Sequence, residues 1–307
     1  MADLAFFHNK IVPLAEAKIS VKTHALHYGT SAFEGIRVNW RADEKKFYIF
    51  RLKEHHERLL RSCNILRMDL PYTLDQMCKI SVELVERCEY QEDIYIRPLA
   101  YKSTEAVGVK LHDLDCDLTM FIIPFGPYID VEKGIKCGTS SWRKINGDQM
   151  PNQAKIAGPY INHALSKTQA IDNGFDEAIL LTQKGYVSEG SGENIFIIKD
   201  SQIITPPPSD NILVGITRNS VIELAKNELG LETLERSIDF SELYVADECF
   251  MTGTAAHVAP VIEIDRRNVG DGTIGPITKK LQQIYFDVEQ GRNAKYMHWC
   301  TAVTPKK

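Results

Sequence analysis

Two short apolar runs, Ala178–Leu181 and Ile195–Ile198, bracket the segment Val187-Ser-Glu-Gly-Ser-Gly-Glu-Asn-Ile-Phe196. Runs of this length and composition read as buried strands, so the segment between them has to turn inside or beside a sheet. Gly190 and Gly192 allow a close backbone approach to a neighbour. A phosphate cradle would avoid carboxylates, because its backbone amides attract an anion. This loop instead carries Glu189 and Glu193. Two readings stay open from this segment alone: a strand-connecting turn with solvated acids, or carboxylates aimed at a cationic or polar ring.

At 307 residues the chain is near the size at which single cores divide in two. A net charge of −5 gives no reason to expect nucleic acid or an anionic membrane as partner. No apolar run approaches the length of a bilayer span, and Met1-Ala-Asp-Leu-Ala-Phe-Phe-His8 lacks the basic start of a secretory signal. The seven cysteines are scattered singly with no Cys-x-x-Cys pair. Neither a disulfide framework nor a zinc ribbon is therefore expected, and a reducing cytoplasm fits.

Helical spacing of apolar residues predicts a helix over Leu52–Leu66 and, after Pro71 and a Thr73 N-cap, a second over Leu74–Cys88. Strands are expected at Ile94–Leu99 and Leu118–Pro124. The stretch 125–134, broken by Gly, Pro and charge, reads as a linker. Beyond it, strands are expected at Ile135–Thr139, Ala178–Leu181, Ile195–Lys199, Ile203–Thr205, Glu248–Thr252 and Val258–Val261. Helices are expected at Tyr160–Asp172, Thr217–Leu229 and Ile277–Glu289. Mixed strands and helices in both halves predict an α/β protein of the α+β type, with two α/β domains and a crevice between them. Residues 1–124 form a small N-terminal domain, 125–134 an interdomain loop and 135–307 a large C-terminal domain. The tail after Gln290 has no assignment.

Several segments could carry chemistry. His24-Ala-Leu-His-Tyr-Gly-Thr-Ser-Ala-Phe-Glu-Gly-Ile-Arg37 is dense in polar and aromatic residues without a clean period, as a site-lining segment would be. His24 and His27 lack a third ligand at suitable spacing, so they read as core histidines and no metal is expected. Lys155 lies among small and apolar residues and reads in two ways: as a surface lysine, as most single lysines are, or as one whose desolvation lets it lose its proton and act as an amine nucleophile that forms Schiff bases with carbonyls. Gly215-Ile-Thr217 opens a helix whose free amides form an anion site, although Thr217 could equally serve only as its cap. Gly253-Thr-Ala-Ala256 offers a second run of small residues, and Arg58 is either a solvated arginine or a helical cation available to a ligand. The Gly-x-Gly-x-x-Gly, Gly-x-x-x-x-Gly-Lys-Ser/Thr and Gly-x-Ser-x-Gly signatures are absent.

Taken together, six segments in order resemble the branched-chain aminotransferases, in the fold-type IV group of pyridoxal phosphate enzymes. They are the His24–Arg37 segment, Tyr95-Ile-Arg-Pro98, the Lys155 segment, Ser188-Glu-Gly-Ser-Gly-Glu-Asn194, Gly215-Ile-Thr-Arg218 and Gly253–Ala256. The resemblance spans about His24 to Gln283 and implies pyridoxal 5′-phosphate as cofactor, bound by the large domain. It implies that Lys155 binds the cofactor and shuttles the proton at the substrate Cα. Glu189, rather than Glu193, would face the pyridine nitrogen and keep it protonated, so that the ring acts as an electron sink. Arg58, the Ile216 and Thr217 amides and Thr254 resemble the phosphate cup, and Tyr160 the tyrosine on the phenolic oxygen.

The same resemblance places the substrate α-carboxylate at the Thr254-Ala255 turn and the Tyr95 hydroxyl. Phe33, Gly35 and Tyr128 would line an apolar side-chain pocket, with Tyr28 and Val109 entering from a partner subunit. Arg97, two residues from Tyr95 and so on the same strand face, resembles the arginine that takes the γ-carboxylate of glutamate. Phe125 stands where many relatives carry tryptophan, which bears on pocket size. The expected function is reversible transamination of leucine, isoleucine or valine with 2-oxoglutarate by a cytoplasmic homodimer or higher homo-oligomer. A D-amino-acid aminotransferase, an aminodeoxychorismate lyase and a non-catalytic phosphate-ligand module are the rival readings.

Overall fold

A computed structural model describes residues 3–126 and 131–306. The chain divides into two compact units. The first comprises Met1–Gly126, Ala154–Gly158 and Asp287–Lys307, the second Pro127–Gln153 and Pro159–Phe286. The first unit thus gains two segments that the sequence placed in the C-terminal domain. Backbone hydrogen bonding is the reason. Phe33 N donates to Lys155 O at 3.0 Å and Ala157 N to Ser31 O at 2.9 Å, while Cys300–Val303 pairs antiparallel with Lys46–Phe50.

In the first unit the antiparallel strands run in the order Cys300–Val303, Lys46–Phe50, Ile36–Arg41, Ile94–Lys102, Cys116–Pro124, Leu4–Phe7 and Lys10–Pro13, with Ser31–Phe33 also paired to Ile94–Lys102. The helices Leu52–Ile65 and Leu74–Arg87 pack on this sheet around Val38, Ile49, Leu59, Met77, Leu84, Ile96 and Met120. The second helix starts on a reciprocal capping box: Gln76 N donates to the Thr73 hydroxyl, and Thr73 N to the Gln76 side chain. The first starts after Arg51, which takes φ +51°, a costly conformation for a residue with a Cβ. The unassigned tail stabilises it. Arg51 N donates to Trp299 O at 2.7 Å, and the guanidinium lies 3.5 Å from the Trp299 ring centroid.

The second unit holds a nine-stranded sheet in the order Val187–Gly190, Glu177–Leu181, Ile135–Thr139, His257–Ile264, Glu248–Gly253, Asn194–Lys199, Gln202–Thr205 and Thr233–Glu235, with Arg267–Asn268 paired to His257–Ile264. Ile135–Thr139 pairs parallel with both neighbours. Ile179, Val187, Ile195, Ile197, Met251 and Ala259 fill one core. Its helices are Tyr160–Asp172, Ile216–Leu229 and most of Pro276–Glu289. The middle of the expected linker lies outside the described residues. No helix among the described residues is long and apolar enough to cross a membrane.

The tail holds the start of the helix that carries Arg58, so its loss is expected to be felt there. Trp299→Ala, at a buried aromatic, should lower the unfolding free energy by about 3–5 kcal/mol. Urea titration would measure this, and a change within error would show the tail to be dispensable.

Candidate active site

Lys155 lies on a short extended segment laid along Ser31–Phe33. Gly29 (φ +63°) permits the approach, because a Cβ there would fall 2.7 Å from Gly158 Cα. The backbone N of Lys155 donates to Ser62 Oγ at 3.0 Å, and that hydroxyl donates to Arg58 O at 3.0 Å. One serine on Leu52–Ile65 thus connects the expected lysine and arginine. Arg58 makes a two-pronged ion pair with the wholly buried Glu34, Nε to Oε1 at 2.6 Å and Nη2 to Oε2 at 2.8 Å. His55 Nδ1 meets the same carboxylate at 2.7 Å. A carboxylate that accepts from Arg58 has no proton to give, so His55 presents Nδ1–H to it. Burial alone would raise the Glu34 pKa, but the Arg58 guanidinium and His55 outweigh it and hold the carboxyl well below its usual range. Burial lowers the pKa of His55 against the pull of Glu34.

Of the expected substrate residues of this unit, Phe33, Tyr95 and Arg97 gather with Lys155, while Tyr28 and Val109 lie apart from that cluster. Lys155 Nζ and Arg97 Cζ each lie 4.9 Å from the Phe33 centroid. Arg97 Nη2 donates to Tyr95 Oη at 3.2 Å, as their shared strand face requires. Gly35 has to be glycine, because a Cβ there would overlap Tyr95 Oη. Phe125 packs on Tyr95 with centroids 4.7 Å apart. Tyr28 accepts a hydrogen bond from Gly108 N at 3.0 Å, and Val109 beside it is exposed. Tyr128 lies outside the described residues. His24 is a core histidine, bonded to Thr30 Oγ1 at 2.8 Å and Gly108 O at 2.7 Å.

In the second unit, a bulge at Ser188 within the strand Val187–Gly190 sets the direction of Glu189. Glu189 is buried, and its carboxylate accepts from three donors: Lys144 Nζ at 2.5 Å, Asn194 Nδ2 at 3.2 Å and Leu213 N at 2.9 Å. A Cβ on Gly215 would fall 2.1 Å from Asn194 Oδ1, so this glycine makes room for the asparagine that steadies Glu189. Lys144 Nζ also meets His163 Nε2 at 2.9 Å. The His163 ring stacks on Tyr160 with centroids 4.8 Å apart and planes 18° apart.

The helix Ile216–Leu229 takes Gly215, not Thr217, as its N-cap, and the cap makes no side-chain hydrogen bond. Thr217 sits in the first turn with Ile216, so the capping reading of Thr217 gives way to first-turn amides that suit an anion. Thr254 and Ala255 form the turn after the strand Glu248–Gly253, against which this helix packs. No group of His, Cys, Asp and Glu side chains among the described residues could hold a metal.

Glu193 belongs to a different cluster. Its carboxylate accepts from Gly192 N at 3.0 Å and interacts with buried Glu177, which Lys167 pairs at 2.6 Å. Cβ atoms on Gly190 and Gly253 would press on it at 3.1 and 3.2 Å. Burial, then the Glu177 charge, pushes the Glu193 pKa up to about 8.

Sequence reasoning missed Glu34, His55, Lys144 and His163. His163 follows Tyr160 by three helical residues, a spacing that predicts contact. Lys144 sits in an aperiodic stretch with no such signal. Each unit carries groups of a kind that suits a phosphorylated pyridine aldehyde: the first a lysine amine and a guanidinium, the second a buried carboxylate and first-turn amides with no side-chain cap.

Residues 31–264 match the family model described as amino-transferase class IV. A probable branched-chain-amino-acid aminotransferase of Aquifex aeolicus is 51% identical over 99% of this chain and 98% of its own. The branched-chain-amino-acid aminotransferase of Escherichia coli K12 is 37% identical over 98% of both. Among solved structures, the branched-chain aminotransferase of Thermoproteus uzoniensis with norvaline superposes with a TM-score of 0.94 at 42% identity, over 98% of this chain and 99% of that one. The branched-chain amino acid aminotransferase of Thermobaculum terrenum in its PLP-form gives 0.93 at 35% identity over 98% of both.

The unfolded Glu193 carboxyl titrates near 4.5, the folded one near 8. Between these values the folded chain binds the extra proton, so stability falls as pH rises across the window. Glu193→Gln, which keeps the shape without the charge, is expected to flatten that fall in a series of melting curves. An unchanged slope would place the proton elsewhere.

Proposed function

The chain belongs to the branched-chain-amino-acid aminotransferases of amino-transferase class IV, and from that premise we propose that it moves the amino group of leucine, isoleucine or valine reversibly to 2-oxoglutarate with pyridoxal 5′-phosphate. The observation that carries the substrate class is the Phe33 cluster. An aromatic wall of Phe33, Tyr95 and Phe125 has the Arg97 guanidinium at its edge. Apolar faces serve leucine and a cation serves glutamate, so one pocket takes both in turn.

Lys155 binds the cofactor and carries the proton at the substrate Cα. Arg58, the amides of Ile216 and Thr217, and Thr254 hold the phosphate; Tyr160 holds the phenolic oxygen. Glu189 faces the ring nitrogen. The bound cofactor supplies the electron sink for the carbanion. The substrate α-carboxylate is held by the Thr254-Ala255 turn and the Tyr95 hydroxyl, and its side chain by Phe33, Gly35 and Tyr128, with Tyr28 and Val109 of the partner subunit. Exposed Val21, Leu26, Val107 and Val109 on the first unit support a homodimer. A cytoplasmic location fits the unpaired cysteines.

Titration of the purified holoenzyme with amino acids tests this reading. L-Leucine and L-glutamate should each change the cofactor absorbance, whereas D-alanine should not, and aminodeoxychorismate should release no pyruvate. Lys155→Ala should abolish both borohydride-reducible cofactor attachment and turnover; full activity in that variant would sink the assignment.

A further inference from the structure

We propose that Lys144 and His163 are positioning residues for amino transfer: they hold Glu189 as an acceptor towards the cofactor's ring nitrogen and tie it to the Tyr160 ring. The proposal rests on the reading that Glu189 faces that nitrogen. Each of the three donors on Glu189, an ammonium, a side-chain amide NH2 and a backbone N–H, has only hydrogens to offer it. Oε2 accepts from Asn194 and Leu213 and Oε1 from Lys144, so all three donors favour the ionised carboxylate, and Oε1 keeps an acceptor position for a ring N–H. Lys144 is the charged donor, and both side chains are about 95% buried, where water screens their attraction little.

The lysine is itself fixed from behind. Lys144 N donates to Leu181 O at 2.9 Å and Gln183 Nε2 to Lys144 O at 3.2 Å. Its ammonium has no lone pair, so His163 Nε2 accepts from it and the imidazole proton sits on Nδ1. That Nδ1–H donates to Ser191 O at 2.7 Å. The neutral ring so oriented lies flat against Tyr160. A single line of contacts, Glu189–Lys144–His163–Tyr160, therefore joins the two groups expected at the ring nitrogen and the phenolic oxygen. Without the lysine charge, a ring nitrogen facing Glu189 would give its proton to the carboxylate: an N–H bond would break, an O–H bond would form, and the ring would lose its positive charge.

The experiment uses holoenzyme carrying cofactor labelled with 15N in the ring, whose nitrogen shift reports protonation. Wild type is expected to show the protonated signal. Lys144→Met should move it to the unprotonated position and lower kcat by about 10- to 100-fold, with the KM for leucine little changed. Lys144→Arg should restore the protonated signal and most of kcat. His163→Phe, which keeps a ring on Tyr160 but accepts nothing from Lys144, should shift the nitrogen signal part of the way. If Lys144→Met yields no holoenzyme, Lys144→Gln, a donor without the charge, carries the same expectation. A protonated signal with near wild-type kcat in the uncharged variant overturns the proposal. Glu189→Gln separates the two levels: if it leaves the signal unmoved, the ring-nitrogen reading itself fails; if it moves the signal and Lys144→Met does not, only the role of Lys144 fails.

Discussion

The buried carboxylate of Glu34 is the point from which the first unit is organised. It is fully enclosed, and two charged or polar side chains of one helix, Arg58 and His55, converge on it. Removing one member of such a buried pair leaves an uncompensated charge and typically costs about 3–5 kcal/mol. The register of the helix Leu52–Ile65 on the sheet is therefore fixed by electrostatics as well as by packing. Through Ser62, the same helix fixes the backbone of Lys155. Through the Ser62 hydroxyl, which donates to Arg58 O, the ion pair reaches the Lys155 backbone in two steps.

The second unit uses a comparable device with the parts rearranged. Glu189 is held by a lysine, an asparagine and a backbone amide, and the glycine of Gly215-Ile-Thr217 makes room for that asparagine. One glycine of the acidic loop and one from the Gly253–Ala256 segment make room for the other carboxylate. Gly190 and Gly253 flank Glu193, so motif residues far apart in the chain are shaped by each other before any ligand enters. Two glutamates of one short segment, Glu189 and Glu193, end in opposite electrostatic settings, one among donors and one beside another acid.

Helices and strands were legible wherever apolar periodicity decided the matter: Leu52–Ile65, Leu74–Arg87 and Tyr160–Asp172 lie within a residue of expectation. The unread parts depend on distant partners. The tail strand Cys300–Val303 has no period of its own and exists because Lys46–Phe50 offers it an edge. At the site, Lys155 stood out because its neighbours are small and apolar, and Glu189 because a carboxylate is out of place in a glycine loop. Lys144 and Glu34 were unreadable for the opposite reason. A buried ion looks like any surface charge in sequence, and only its partner, 45 residues away for Lys144 and 24 for Glu34, marks it as buried.

The first unit is discontinuous, and that has a bearing on how the chain matures. Its sheet is closed on one side by Cys300–Val303, and Arg51 is steadied by Trp299. Synthesis runs through every residue of the second unit before either appears. Until then Lys46–Phe50 presents an unpaired edge, the kind of surface that invites wrong partners. Residues up to Gly126 leave the ribosome before most of the second unit and are completed only after it, so a chaperone or a slow translation step would matter most for residues made long before the ones they wait for.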